Sequence, residues 1–267
     1  MTAAERARAV AFMRALETAC SSRIEPFEGG RALFHEDFPF VRDLNFLRVE
    51  AAGPEITAPG LAAEAERVQG AAGLVHRKVA IDDEALGERL APGFQQLDWQ
   101  TDRLLIMARH RSPARRRAPG IAREIDLEEI KRARELTLED EGGHSEEVKA
   151  QLRDMVEVVA RAGKARFFGA EAGGEYVSVC ELYAGSGNAQ IEAVMTLTDY
   201  RGQGLGTAVV LAALEAAEAM GAELVFLTAD ADDWPRELYA KLGFDTIGVI
   251  YDFTLIDATS PTRRSSH

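Results

Sequence analysis

The stretch Thr196-Leu-Thr-Asp-Tyr-Arg201-Gly202-Gln203-Gly204-Leu205-Gly206-Thr207 constrains this chain most. Ahead of it, Gln190 to Thr198 reads as a strand; behind it, the Ala-rich run Thr207 to Met220 reads as a helix. A strand that passes straight into a helix through three alternating glycines belongs to a mixed α/β architecture, with helices laid against a sheet. Small residues let the backbone turn sharply without Cβ clashes, so several N–H groups converge on one anion. The helix N-terminus behind them adds partial positive charge. The segment therefore reads as a phosphate cradle made of backbone.

Spacing narrows the phosphate. A Walker loop needs Gly-Lys followed by Ser or Thr, and here Gly206 is followed by Thr207-Ala208. A Rossmann fingerprint needs G-x-G-x-x-G, whereas these glycines fall at 202, 204 and 206. A plain tight turn before a helix would want one glycine rather than three.

Charge and cysteine usage exclude other classes. With 31 Lys and Arg against 44 Asp and Glu, the formal charge is -13. That argues against nonspecific binding to nucleic acid or to an anionic membrane, and leaves cationic or neutral small molecules as easier partners. Two cysteines, Cys20 and Cys180, make no disulfide framework, and the absence of a Cys/His cluster predicts no metal site. No apolar run approaches the ~18 residues of a membrane span, and none near the start suits a signal segment. The expected location is cytoplasmic.

The 267 residues suit two small domains or one large one. Residues 1–110 read as one mixed α/β unit. The stretch 111–120, rich in Arg and Pro, reads as a linker, residues 121–257 as a second unit, and 258–267 as a polar tail. In the second unit Asp126 and Glu129 form a capping box, and three strands joined at Gly173-Gly174 and Gly185-Ser-Gly-Asn188 form a meander. A faint repeat links the halves. Leu74–Asp82, Glu84–Trp99 and Asp102–His110 match Glu223–Ala229, Trp234–Phe244 and Thr246–Ile256, with Leu97-Asp98-Trp99 over Leu242-Gly243-Phe244 and Phe94 opposite Tyr239.

At Arg201-Gly-Gln-Gly204-Leu-Gly206 the chain resembles the GNAT superfamily of acyl-CoA-dependent N-acetyltransferases, whose signature is a strand, R/Q-x-x-G-x-G/A and a helix. A second family element, L-Y-x-x-x-G-F, stands in order as Leu238-Tyr239-Ala-Lys-Leu-Gly243-Phe244. The resemblance covers Ala118 to about Ile256, and the first half only in outline. It implies a central mixed sheet flanked by helices, in two pseudo-repeated halves of which the first is degenerate. It further implies that acetyl-CoA is a cosubstrate, its pyrophosphate held by Arg201, Gly202, Gln203, Gly204, Leu205, Gly206 and Thr207, and its pantetheine paired with Val194, Met195 and Thr196. By the same resemblance Tyr239 is the general acid for the departing thiolate, against a plain core tyrosine at that helical position. The acceptor is a small-molecule amine, a peptide N-terminus or a lysine, acetylated by direct attack, and a homodimer is possible. The rival expectation is a CoA-binding sensor without catalysis.

Some positions stay open. Where the family often has Asn seven residues before the tyrosine, this chain has Asp232, and Asp232 or Asp233 suits the N-cap ahead of Trp234-Pro235. Period-two alternation puts Glu192 on the face of Val194 and Thr196, as a general base or an exposed edge glutamate. His144 reads as a solvated loop residue or a lining of the substrate site. In the first half Gly53-Pro-Glu-Ile-Thr-Ala stands where the glycine loop would be, with Pro54 removing a donor and Glu55 repelling phosphate.

Overall fold

The computed structural model describes residues 2–111 and 121–256. The expected linker beyond its first residue and the polar tail 258–267 lie outside the described residues.

The first half comprises α1 (Thr2–Cys20), β1 (Arg23–Phe27), β2 (Gly30–Phe34), a 3-10 turn (Arg42–Leu44) and β3 (Phe46–Val49). It continues with α2 (Ala58–Ala65), which runs on into a π-turn (Glu66–Gly70), then β4 (His76–Ile81), α3 (Glu84–Gln96) and β5 (Gln100–Arg109). The second half comprises β6 (Ala122–Ile125), α4 (Leu127–Glu141), α5 (Glu146–Gly163), β7 (Arg166–Ala172), β8 (Glu175–Gly185), β9 (Asn188–Thr196), α6 (Leu205–Ala219), β10 (Leu224–Asp230), α7 (Pro235–Lys241) and β11 (Phe244–Ile256). Helix starts follow local chemistry. The expected capping box forms at Asp126 and Glu129, and the Asp83 and Ser145 side chains accept from Leu86 N–H and Val148 N–H.

The repeat extends further than the sequence showed: β1-β2-β3-α2-β4-α3-β5 is answered by β7-β8-β9-α6-β10-α7-β11. Even the turn before the last strand recurs. Asp98 has φ +59° and its counterpart Gly243 has φ +91°, the left-handed region in both. Phe94 occupies the place of Tyr239 and is buried between Phe253 and Trp99, at ring-centroid distances of 4.1 and 5.0 Å.

Among the described residues the strands form one eleven-stranded sheet in the order β1-β2-β3-β4-β11-β5-β10-β9-β8-β7-β6. The halves have exchanged their last strands. β5 leaves its own half to pair antiparallel with β10, and β11 pairs antiparallel with β4. β5 and β11 also pair with each other, from Phe244↔Arg109 to Thr254↔Gln100. Each half thus completes the sheet of the other.

Helices cover both faces. On one face α6 and α7 close a core with Cys180, Leu182, Ile191, Leu227 and Phe244, and α2 and α3 close another with Leu47, Val79, Ile81 and Phe253. On the opposite face α1 seats Ala9 and Met13 on Ile106, Ala108, Leu224, Phe226 and Ile247, strands of both halves, while α4 and α5 cover β7 and β8. Each large apolar side chain buried in this way contributes about 1.5–3 kcal/mol, so the exchange is fixed by packing as well as by ladder bonds.

Candidate active site

The site begins where two strands part. β9 and β10 run parallel from Asn188↔Leu224 to Ile191↔Leu227. Beyond that, β9 stays with β8 (Met195↔Val179, Thr196↔Ser178) while β10 stays with β5 (Thr228↔Ile106 to Asp230↔Leu104). The edge of β9 from residue 192 onward is therefore free on its β10 side. In the first half the equivalent strands, β3 and β4, remain paired to their final residues at Val49↔Ile81, and no such gap opens.

A bulge accompanies the parting. Glu192 faces Glu181 and Met195 faces Val179, so Ala193 and Val194 together oppose Cys180. Ala193 takes φ +50°, unusual for a residue with a Cβ. The extra residue reverses the alternation. Val194 packs with the α6 core and Thr196 approaches Gly206, whereas Glu192 pairs with Glu181, whose side chain meets Arg134 and Tyr183, and so lies with Met195 on the α4–α5 face. The expectation that Glu192 shares a face with Val194 and Thr196 is thus corrected.

On the α6 side lies a cavity of about 440 Å³. Its lining includes Val194, Met195, Thr196, Arg201, Gly202, Gly204, Leu205, Gly206, Thr207 and Tyr239 from the sequence reading. Gly202 and Gly204 have φ of +72° and +77°, which turn the backbone so that Gly204 caps α6. The first helical bond is Ala208 N–H to Gly204 carbonyl, leaving the amides of the preceding turn without helical acceptors. The loop is held from outside by Asp140 of α4, which accepts from Thr198 N–H at 3.0 Å and its hydroxyl at 2.8 Å. Arg201 Nε donates to Thr196 carbonyl at 3.1 Å, tying the guanidinium to the end of β9. Gln203 is outside this lining, its amide donating to Asp199 carbonyl at 3.3 Å.

Sequence reasoning missed Thr137, Glu141, Tyr200, Trp234, Pro235 and Leu238, which also line the cavity. Trp234 was discoverable as a large aromatic at the entry to the short helix that carries Tyr239, and is 61% exposed at the rim. Thr137 and Glu141 come from α4, too far along the chain for any local signal. Asp232 is not in the lining; it pairs with Arg103 at 3.2 Å, Asp233 accepts from Trp234 N–H at 2.7 Å, and Trp234 is itself the N-cap of α7 without a side-chain cap bond, so the expectation of an aspartate cap is corrected.

Tyr239 lines the α6-side cavity, whereas Glu192 is in neither cavity lining and lies on the other face of the sheet, where β9 parts from β10. Burial raises the Glu192 carboxyl to about 7, against the stabilising pull of Thr228, Gln190 and the Ala193 N–H. The Thr228 hydroxyl and the Gln190 amide both donate to Glu192 Oε1, at 2.8 and 2.6 Å. It is therefore neither an exposed edge residue nor a permanent anion. Burial, helped by the Glu192 charge, pushes the Tyr239 phenol well above its ordinary value, so it stays protonated. Beside Glu192, Glu181 is buried, accepts from the Tyr183 hydroxyl and faces Arg134 Nε at 3.1 Å.

A second cavity of about 230 Å³ lies on the α4–α5 face and shares Thr137, Glu141 and Met195 with the first. His144 lines it with a side chain only 12% exposed, which corrects the reading of a solvated loop histidine. Among the described residues no cluster of His, Cys, Asp and Glu could hold a metal ion, and no helix is long and apolar enough to cross a membrane.

Residues 128–244 match the family model for the acetyltransferase (GNAT) family. Solved structures with similar folds include a conserved protein of unknown function from Staphylococcus epidermidis ATCC 12228, with TM-score 0.65, 13% identity, and coverage of 88% of this chain and 93% of that one. A GCN5-related N-acetyltransferase from Kribbella flavida gives TM-score 0.61 at 22% identity, covering 93% and 94%. The tandem GNAT protein from the clavulanic acid biosynthesis pathway gives 0.51 at 16% identity, covering 80% and 75%. At such identities these likenesses speak for the fold, two halves included. A search of the curated proteins found no match.

Proposed function

We propose that this chain, whose residues 128–244 match the GNAT acetyltransferase family model, moves an acetyl group from acetyl-CoA to a primary amine by direct attack, within the acyl transfer common to that family. One observation carries the reading: where β9 and β10 part, a glycine turn at a helix start and the Tyr239 phenol line one cavity, and the Glu192 carboxyl, raised to about 7, lies close enough for its charge to raise that phenol.

The residues suit the cosubstrate. Amides from Gly202 to Thr207 and the Arg201 guanidinium offer donors for a pyrophosphate. The free edge of β9 at Val194–Thr196 offers main-chain groups to the pantetheine amides, as an added strand would take them. Acetyl-CoA supplies an activated acyl group on a thiol leaving group. Glu192, ionised above about pH 7, takes the proton that the amine sheds on attack. Tyr239, kept protonated by burial, donates to the departing sulfur. In the first half the cradle has Gly53-Pro54-Glu55 and the strands do not part, so we assign it a structural role and a wall of the acceptor site. The net charge of -13 disfavours nucleic acid and anionic membrane, so neither is a partner in this reading. We place the enzyme in the cytoplasm, with a homodimer as an open arrangement.

The test is incubation with acetyl-CoA and a panel of amines, following thiol release. Amine-dependent release supports the reading. Tight acetyl-CoA binding with no release on any amine would leave a CoA-binding sensor instead.

A further inference from the structure

The second cavity says what the acceptor carries besides its amine, an inference that rests on the acyltransferase reading. Its walls come from both halves: Phe40, Arg42 and Asp43 precede or open the 3-10 turn of the first half, while Arg134, Glu141 and His144 come from α4 and the loop that follows it. It opens toward the reacting gap at Met195, the neighbour of Val194 on the free edge of β9.

The charged groups of this lining differ in what already satisfies them. Asp43 Oδ1 sits 2.6 Å from Lys78 Nζ, which holds its carboxyl down at about 2, and Lys78 is shared with Asp252 at 2.7 Å. Glu141 and His144 face each other at 3.8 Å. Arg134 faces Glu181 at 3.1 Å through Nε and donates to Leu152 carbonyl at 3.1 Å through Nη1, while its Nη2 donates no hydrogen bond among the described residues. The Arg42 side chain, half-buried, makes no hydrogen bond or ion pair among the described residues. Two guanidinium groups with unused donors thus look into one partly apolar cavity. A planar guanidinium matches a carboxylate in a bidentate way, and in a site shielded from water such a contact is stronger than in bulk.

We propose that the acceptor is a primary amine bearing a carboxylate, that Arg42 with Arg134 binds the carboxylate, and that the amine is presented past Met195 to Glu192. Arg42 makes the first half a contributor to specificity. The whole protein is acidic, yet the acceptor it selects carries a negative group, because the local donors and not the net charge decide.

The experiment compares free amino acids, α and ω, of two to six carbons with the corresponding amines that lack the carboxylate and with aminoalkyl phosphates. Thiol release is measured for the parent, Arg42→Gln and Arg42→Lys, and acetyl-CoA affinity is measured by calorimetry for all three. The parent should prefer a carboxylate-bearing amine over its decarboxylated partner by at least about 10-fold in kcat/KM. Arg42→Gln should raise KM for that acid about 10- to 100-fold, the worth of a hydrogen bond to a charged group, with kcat little changed and the decarboxylated amine unaffected. Arg42→Lys should recover part of the loss. Unchanged acetyl-CoA affinity certifies that the variants are folded and that the cosubstrate site is intact. Equal use of acid and amine, an equal effect of Arg42→Gln on both, preference for the phosphates, or transfer to none of the acids while acetyl-CoA still binds would each overturn the proposal. Failure of the parent to bind acetyl-CoA would instead overturn the acyltransferase reading beneath it.

Discussion

Replacing Thr228 by Val tests Glu192 as the proposed base through a residue that is in neither cavity lining. The side chains are nearly the same shape, but the variant loses the 2.8 Å hydrogen bond to Glu192 Oε1. That bond stabilises the charged carboxylate, so its loss favours the neutral form and moves the Glu192 midpoint upward from about 7. A hydrogen bond to a charged group is worth about 1.5–3 kcal/mol, or about one to two pKa units. Because Gln190 still donates to the same oxygen at 2.6 Å, we take the lower end, a shift of about one unit. At pH 7 the ionised fraction then falls from about a half to about a tenth, a loss of about fivefold in kcat/KM that vanishes by about pH 9.5. The assay is a pH profile of kcat/KM for parent and variant on one acceptor, so that the amine's own titration is common to both. An acid limb that stays in place, or a loss of equal size at every pH, would refute Glu192 as the group that must ionise.

Three further outcomes are expected. Tyr239→Phe should lower kcat by roughly 10²–10⁴ with KM for acetyl-CoA nearly unmoved, because in the proposed reaction the hydroxyl acts only as the sulfur leaves; a variant retaining more than about half the parental kcat, with chemistry rate-limiting, would reduce Tyr239 to a packed aromatic. Gly204→Val should abolish measurable acetyl-CoA binding by calorimetry while circular dichroism stays native, since a branched residue at φ +77° forces the cradle out of shape; unchanged affinity would sink the cradle. Titration of the intact chain should give one acetyl-CoA per molecule, because β3 and β4 stay paired to their ends and Pro54 and Glu55 occupy the equivalent loop; a stoichiometry of two would overturn the assignment of the first half.

Much of this molecule was legible in its residues. The glycine spacing marked the turn that opens α6, where Gly202 and Gly204 take φ of +72° and +77°, because only particular residues reach such angles cheaply. The helix boundary at Asp126 and the Leu97-Asp98-Trp99 match to Leu242-Gly243-Phe244 were likewise written locally, in a cap and a turn. What tertiary structure decided is of another kind. Nothing in β5 or β11 announces that each will cross into the other half, since a strand's alternation specifies a buried face and not which edge it will pair with. The bulge at Ala193 and Val194 had no glycine to betray it, and it turned Glu192 to the face opposite the one that simple alternation gives. Arg42 and Arg134, 92 positions apart, share a cavity only because the loop before β3 folds down onto α4 and α5. Local chemistry is carried by neighbours in sequence; the pairing of strands, the hand of a face and the meeting of distant side chains are set by packing energies summed over the whole chain.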